Sequence, residues 1–239
     1  MPYLELFKMV IFLVLSVLHL SGSFTVLVNE KVCKTEDWDY VNYSNIEELV
    51  GCTKIQGNIE IVQATFDGDR FLNVPGIHPG QLNSLQSVRE VTGVVIIQGI
   101  HKDFKALPFL KNLTTVNGRG AKEFQGLSFS VAFTTLESLD LSSLRSIRNG
   151  NVAVVKNEYL CYADKANFVG ILRKKSQRII VKKNRSAEEC GKSGHVCASV
   201  CSSSGCWGPG RENCVGNITE NNRIDDTVIN LNVLDLNWM

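Results

Sequence analysis

Cysteine is the residue type whose spacing most directly suggests chemistry in this chain, because thiols either pair as disulfides or bind metals such as zinc. Four cysteines fall between Cys197 and Cys214, among glycine, serine and proline and with almost no aliphatic residues. Their spacing contains no paired Cys-x-x-Cys motif, which a zinc site of this kind requires. The segment therefore predicts a small module held by disulfide bridges, with no metal and no cofactor.

The first residues indicate an oxidising, extracellular destination. Lys8 precedes a short apolar run, Met9–Leu18, and the small residues Ser21–Ser23 follow it. This order is typical of a secretory signal, and the run is shorter than the roughly 20 residues of a membrane span. We predict a signal peptide over residues 1–23, cleaved near Ser23, and a secreted chain. The alternative is an uncleaved anchor.

Export makes the N-glycosylation motifs of the chain credible, because Asn-x-Ser/Thr is modified only in the secretory pathway. One such motif arises easily by chance, whereas four in an exported chain predict some glycan. The four acceptor residues are Asn42, Asn112, Asn184 and Asn217.

Two early cysteines bracket a stretch that suits the end of a domain. Cys33 and Cys52 flank a polar segment and a predicted short helical turn at Ile46–Val50. In an oxidising compartment, this pair most simply closes a loop that caps the open end of a repetitive fold.

A glycine-containing phrase recurs along the chain and predicts the fold. The clearest copy, Val88–Gln98, has β-branched residues on both sides of Gly93, and a leucine-rich lead-in precedes every copy. Equivalent positions recur within the roughly 20–50-residue period of stacked repeats. We predict a short parallel β-solenoid with one strand per copy on a common face; the alternative is an ordinary α/β layer fold. The equivalent positions are Ile55, Val91, Val116 and Ile147.

Loops between the copies are candidates for a recognition surface. The segment Phe66–Phe71 places two aromatic and two acidic residues around an Asp-Gly turn, which suits either a binding rim or a solvated turn with its rings tucked in. The loops His101–Lys105 and Gly118–Phe124 are predicted to project at similar places in later copies. Loops stacked on one side of a solenoid often bind partners.

The basic segment Arg173–Arg185 has two interpretations. It can bind heparin or another acidic ligand, or it can be a solvated last strand with Ile179–Val181 as its buried centre. The spacing of apolar residues favours the strand.

Composition and motifs argue against other function classes. The formal net charge is +1, which argues against nucleic-acid binding. Gly191-Lys192-Ser193 lacks the earlier glycine of a phosphate-binding loop, and neither His-Glu-x-x-His nor Gly-x-Ser-x-Gly occurs. We do not predict an enzyme.

Several of these motifs together resemble the epidermal growth factor receptor family. They are Cys197–Cys214 with its Gly-Cys-Trp-Gly-Pro core, Phe66–Phe71, Glu90–Gln98 and Asn157–Tyr162. The resemblance is to the third extracellular module, a leucine-rich receptor L domain, joined to the start of the fourth, a furin-like cysteine-rich module.

The resemblance implies a mainly β fold with short helices, in which a right-handed β-solenoid precedes a small disulfide-rich module. The L domain would occupy residues 24–190 and the start of the cysteine-rich module residues 191–214. Residues 215–239 have no cysteine and are predicted to form a disordered tail. The family pattern also implies a use for all eight cysteines, in the pairs Cys33–Cys52, Cys161–Cys190, Cys197–Cys206 and Cys201–Cys214.

The resemblance further implies a protein partner, an EGF-like growth factor. Asp69 would pair with a ligand arginine, Phe71 and Ala64 would pack on ligand aliphatics, and Gln98 would bond the ligand backbone. Ile180 stands where the family has a lysine, which removes one contact. A pocket for a ligand leucine would be lined by Ile96, Leu127, Ala132 and Ala153.

These expectations leave three functions open. The first is a secreted, truncated receptor relative that binds an EGF-like factor as a decoy, with a single L domain binding more weakly than the family's pair. The second is a modulator that docks on full-length receptor without gripping ligand. The third is a fragment of a longer transmembrane receptor tyrosine kinase, which the unpatterned tail from Val215 supports. Relative to the family, no kinase, membrane span, dimerisation arm or first L domain is expected in this sequence.

Overall fold

A computed structural model of the chain describes residues 30–215. The predictions for the signal peptide, for Asn217 and for the tail beyond Val215 lie outside the described residues. Within them, no helix is long and apolar enough to span a membrane.

The described residues form short strands joined by turns and brief helices. The strands are β1 (Val32–Lys34), β2 (Lys54–Gln56), β3 (Ile59–Ile61), β4 (Gly68–Asp69), β5 (Val74–Pro75), β6 (Glu90–Val91), β7 (Val95–Gly99), β8 (Thr115–Val116), β9 (Leu127–Thr134), β10 (Ser146–Ile147), β11 (Asn151–Val155) and β12 (Ile179–Lys182). The α-helices are α1 (Gln63–Asp67), α2 (Phe168–Ile171) and α3 (Ala187–Lys192). The 3₁₀-helices span Ile46–Leu49, Pro79–Leu85, Pro108–Leu110, Ser199–Ser204 and Arg211–Asn213.

Ten of these strands build two parallel sheets. Sheet A has the order β1-β2-β6-β8-β10, and sheet B has the order β12-β11-β9-β7-β3. Successive stretches of chain add a strand to sheet A and then, after a corner, a strand to sheet B. The predicted succession of parallel strands is therefore present, but the prediction of one strand per copy was wrong. The corner at the glycine divides each phrase into two strands.

The core lies between the two sheets and explains the apolar spacing of the repeats. Ile55, Val91, Val116 and Ile147 face inward from sheet A and are fully buried in one cluster. Alternate residues of sheet B, such as Ile97 and Val131, enter the same cluster, as period-two side-chain geometry requires. The leucine lead-ins fill the remaining side of the core from turns and 3₁₀-helices, through Leu49, Leu85, Leu110, Leu113, Leu141 and Leu144.

Glycines line the corner between the sheets, and three of them form what we call the glycine column: Gly57, Gly93 and Gly118. The Gly93 N–H donates to the Gly57 carbonyl at 2.8 Å, and the Gly118 N–H donates to the Gly93 carbonyl at 2.9 Å. A Cβ atom on Gly93 would lie 2.0 Å from Asn58 Oδ1 and 2.5 Å from the Gly57 carbonyl oxygen. Gly93 is therefore required by close backbone approach, whereas Gly57 and Gly118 also have positive φ angles of 126° and 67°.

Buried amide side chains hold the opposite ends of the sheet B strands. Asn157 is fully buried, and its Oδ1 accepts from the Thr134 N–H at 3.1 Å and from the Thr134 hydroxyl at 2.8 Å. Its Nδ2 donates to the Val131 carbonyl at 3.1 Å and to Asn184 Oδ1 at 2.9 Å. We call each successive stretch of chain that contributes a strand to sheet B, with the segment leading into it, a coil. The Asn157 side chain thus joins three successive coils and satisfies backbone groups that would otherwise be buried without partners.

A column of left-handed residues marks the same ends of these strands. Gly99, Phe133, Lys156 and Lys183 have φ angles of 120°, 53°, 57° and 56°. They follow residues that are in register across β7, β9, β11 and β12. The backbone therefore makes the same left-handed step at or just beyond the end of each of these strands, even where the residue is not glycine.

All four predicted disulfides are present, and the described residues contain no free cysteine. Cys33–Cys52 ties β1 to the turn before β2, as the capping prediction required. Cys161–Cys190 ties the turn after β11 to α3.

The cysteine-rich segment is held by more than its bridges. Trp207 is 1% exposed and meets Phe168 edge to face at 5.1 Å between ring centroids. Its carbonyl accepts from the N–H groups of Leu139 and Asp140 at 3.1 Å each. The prediction of a module without a core contribution therefore needs correction, because this segment inserts an indole into the main core.

The glycine column generates a stability test. We expect Gly93→Ala to destabilise the fold by about 1–3 kcal/mol, the usual cost of overpacking against atoms that cannot move away. The matched control is Gly191→Ala in α3, where an added Cβ meets nothing within 4 Å. Thermal unfolding of both variants measures the difference. Equal melting temperatures would contradict the assigned role of Gly93.

Candidate functional site

The outer face of sheet B gathers most of the predicted site residues. Register aligns Ile96 with Ser130, and Ser130 with Ala153, while Gln98 aligns with Ala132 one row further along. Leu127, at the start of β9, belongs to the same small cluster as Ala132 and Ala153. Residues from three adjacent strands are therefore brought together, as a common binding surface requires.

The apolar part of this outer face is buried. Ile96, Leu127, Ala132 and Ala153 are 7%, 3%, 0% and 0% exposed, and Gln98 is half-buried. Ile180 joins the cluster from β12, and Phe133 packs against it, with the Lys156 ammonium 4.6 Å from the Phe133 ring centroid. A ligand can therefore contact these apolar side chains only if the neighbouring side chains that cover them move aside.

Beside this face, α1 and the hairpin β4–β5 form a projecting rim. Asp69 Oδ1 accepts hydrogen bonds from the N–H groups of Phe71 at 2.8 Å and Leu72 at 3.1 Å, which fixes the turn. Phe71 is fully exposed, whereas Phe66 is buried. One ring of this segment is thus tucked in and the other is presented to solvent, while binding at this rim stays a prediction. A surface cavity of about 570 Å³ is lined by Ala64, Asp67, Gly68, Asp69, Arg70 and Phe71.

Gln63 joins the rim to sheet B, and sequence reasoning missed it. Its Oε1 accepts from the Ile100 N–H at 2.8 Å, and its Nε2 donates to the Ile100 carbonyl at 3.2 Å. This two-bond clamp fixes α1 against the end of β7, so it sets the position of Ala64 relative to Gln98. A single glutamine before an Asp-Gly turn carries no sequence signal for such a contact.

The three predicted recognition loops do not share one location. Phe66 contacts the loop His101–Lys105, with ring centroids 5.7 Å from His101 and 5.0 Å from Phe104. The loop Gly118–Phe124 instead precedes β9, and because the strands of sheet B are parallel, it lies at their other end. Its predicted placement with the first two was wrong. It lines a separate cavity of about 520 Å³ with residues that include Asn149 and Lys174.

The basic segment is partly structural. Its predicted strand is present as β12, in which Ile180 is buried on the outer face and Ile179 and Val181 are half-buried against the main core. Arg173 bonds across to the preceding coil, donating to Ser146 Oγ at 3.1 Å and to the Arg145 carbonyl at 2.5 Å.

The predicted glycan acceptors differ in their surroundings. Asn112 is exposed, whereas Asn42 and Asn184 are half-buried. Asn184 Nδ2 donates to the Val154 carbonyl at 2.8 Å. A glycan on Asn184 would be attached to this same nitrogen, which also holds the ends of the coils. Occupancy at these residues stays a prediction.

Glu60 on β3 extends the outer row, since it is in register with Ile96, and it generates a pH test. Burial raises the pKa of its carboxyl above the ordinary 4.5, and nearby Asp39 adds to this, while the Asn58 amide opposes it. A raised pKa in the folded state means that ionised Glu60 reduces stability at neutral pH. We expect Glu60→Gln to raise the melting temperature at pH 7. The gain should disappear below about pH 4, where both side chains are uncharged. A gain that is equal at both pH values would contradict this assignment.

The sequence of the chain is similar to a known family model and to known receptors. Residues 51–169 match the family model for the receptor L domain. The chain is 36% identical over 193 residues to the epidermal growth factor receptor of Apis mellifera, and the match covers 77% of this chain and 15% of that receptor. It is 35% identical over 174 residues to the epidermal growth factor receptor of Gallus gallus, covering 73% of this chain and 25% of that protein.

A third relative, the human receptor tyrosine-protein kinase erbB-4, is 36% identical over 176 residues, with 73% of this chain and 13% of the relative covered. The chain thus spans a quarter or less of the length of these relatives. The family model and these three relatives show that the chain belongs to the epidermal growth factor receptor family, of which it carries a receptor L domain.

Proposed function

We propose that this chain binds an EGF-like growth factor through the rim and the outer face of sheet B. The observation that carries the proposal is the fully exposed Phe71, held on a fixed turn beside Ala64 and Asp69. Membership of a family whose relatives are named as epidermal growth factor receptors supports the choice of ligand class. An exposed aromatic ring on a rigid turn is a typical anchor for a protein partner.

The rim offers both a charge and an apolar anchor. Asp69 uses Oδ1 to hold the turn, and among the described residues Oδ2 has no hydrogen-bond partner, so this oxygen can accept from a ligand arginine. Burying the Phe71 ring would contribute about 1.5–3 kcal/mol. Because the turn is already ordered, little conformational entropy is lost on binding.

The outer face would extend the contact from the rim. Gln98, half-buried at the end of β7, can bond a ligand backbone. Ile96, Leu127, Ala132 and Ala153 would receive a ligand leucine once this face is accessible. Ile180, where the family resemblance implies a lysine, adds an apolar contact to the far side of this face.

The proposal includes the organisation of the chain. A signal peptide over residues 1–23 would export it, residues 24–190 would form the L domain, and residues 191–214 would begin the cysteine-rich module. The coils would wind with a right hand, as almost all connections between parallel strands of one sheet do. A secreted form of this kind would compete with cell-surface receptors as a decoy.

Phe71 gives the direct test of this function. We expect calorimetric titration of the secreted protein with a panel of EGF-like growth factors to detect binding to at least one. Phe71→Ala should weaken that binding about tenfold or more, because it removes the exposed anchor. The control is Val200→Ala, an exposed apolar residue of the cysteine-rich segment, which should bind like the wild type. The absence of heat at high micromolar concentration for every growth factor would refute the proposal.

A variant of Asp69 distinguishes the role of this residue in holding the turn from its role in binding a positively charged ligand group. Asp69→Asn keeps an oxygen that accepts from the Phe71 and Leu72 N–H groups, but it removes the charge that would pair with an arginine. We expect an unchanged melting temperature and about tenfold weaker binding of growth factor. Binding that is unaffected in this variant would show that the carboxylate serves the turn alone.

A second candidate function is docking on full-length receptor. The complete burial of Ala132 and Ala153 favours it, because side chains that are inaccessible cannot grip a ligand leucine. Crosslinking of the secreted protein to cells that carry full-length receptor distinguishes the two. Recovery of growth factor without receptor supports the first function, and recovery of receptor alone supports the second.

The small share of each relative that the chain covers also supports a third candidate, a part of a longer transmembrane receptor tyrosine kinase. A full-length transcript that continues into a kinase would establish it.

A further inference from the structure

Two histidines and an aspartate from separate loops meet on the surface. His78 immediately precedes the 3₁₀-helix Pro79–Leu85, while His101 and Asp103 lie on the loop after β7. One possible ligand atom from each of the three residues lies within 4.8 Å of the other two. Neither the growth-factor proposal nor any cysteine uses this cluster.

We propose that His78, His101 and Asp103 form a binding site for a divalent transition-metal ion of the zinc type. Imidazole nitrogen and carboxylate oxygen are the ligands that Zn²⁺ takes together in proteins. The sequence predicted no metal for the chain, because His78 and His101 lie outside any metal-binding motif and the cysteines suited disulfides. The cysteines are indeed paired as disulfides and so are not available as ligands, and the proposed site departs from that prediction through the histidines.

The distances are close to those of a tetrahedral site. Bonds of about 2.0–2.1 Å from zinc to nitrogen and oxygen place neighbouring ligand atoms about 3.3 Å apart. His78 Nε2 lies 3.1 Å from Asp103 Oδ2, which fits one edge of the tetrahedron. His101 Nδ1 lies 4.0 Å from the same oxygen, so a small closure of an exposed loop completes the three-ligand set.

Packing orients both imidazole rings before any ion arrives. The His101 ring packs against the Phe66 ring, with 5.7 Å between ring centroids. The His78 ring meets the His101 ring edge to face, with 5.3 Å between centroids. The Gly80 N–H donates to His78 Nδ1 at 3.1 Å, and the Asp103 N–H donates to His101 Nδ1 at 3.1 Å.

Coordination rearranges two of these hydrogen bonds. When His78 Nε2 binds the ion, the ring proton moves to Nδ1 and the Gly80 N–H turns to water, which it can reach because Gly80 is exposed. Coordination through His101 Nδ1 likewise releases the exposed Asp103 N–H. Both releases occur at the surface, where water replaces the lost acceptor.

Lys102 competes with the ion. Its ammonium lies 2.7 Å from Asp103 Oδ2, and its side chain is 84% exposed. An incoming cation would displace this ammonium into solvent. The three protein ligands would leave a fourth position open to water or to a donor from another molecule.

Titration of the tag-free secreted protein with Zn²⁺ by calorimetry, and with Co²⁺ by visible absorption, tests the site. We expect one ion per chain with micromolar affinity. His78→Gln keeps an acceptor for the Gly80 N–H, and His101→Phe keeps a ring against Phe66, so both variants should fold normally. Each should bind Zn²⁺ at least tenfold more weakly. His195→Ala, which changes a histidine outside the cluster, should bind like the wild type.

Lys102→Ala supplies a change in the opposite direction. Without the competing ammonium, Zn²⁺ should bind several-fold more tightly than to the wild type. Melting temperatures measured without metal establish that all four variants are folded. The proposal is overturned if the wild type binds no ion at high micromolar Zn²⁺, or if His78→Gln and His101→Phe bind it as the wild type does. Growth-factor binding by the same variants is measured separately, so failure of either proposal is distinguishable from failure of the other.

Discussion

Close approach of backbone to backbone at the corner between the sheets is the constraint on which this structure depends. Successive coils can share hydrogen bonds there only because Gly57, Gly93 and Gly118 carry no side chain. With the corner fixed, each strand of sheet A meets its neighbour in register, and the inward side chains meet in one core. The outer face of sheet B then follows, since alternate residues must point away from that core.

The sequence predicted the repeats because their signals are local. Glycine next to β-branched residues and the regular leucines could be recognised without knowing what they contact. The division of each phrase into two strands could not be recognised, because a corner at Gly93 depends on the position of Asn58 in the preceding coil. The contribution of Asn157 was missed for the same reason, since its partners Val131 and Asn184 lie in other coils.

The candidate site shows the same division between local and distant information. The motif around Asp69 and Phe71 was recognisable, and the structure explains it as a turn that holds an aromatic ring in solvent. Burial of Ala132 and Ala153 could not be read from residue types, because it depends on side chains from other strands, such as Ile180. His78 and His101 lie far apart in sequence, outside any metal-binding motif, and only the stacking of coils brings them together.

The position of two disulfides has a consequence for how the protein withstands proteases and tension. The outermost coils of a stacked protein have a neighbour on one side only, and they open before the others. Here each of them is closed into a covalent ring, by Cys33–Cys52 at one end and Cys161–Cys190 at the other. A single cut inside either ring leaves both pieces attached, and a pull on the chain cannot lengthen the ring itself. The ends where unravelling would begin are therefore held together by covalent bonds as well as by packing.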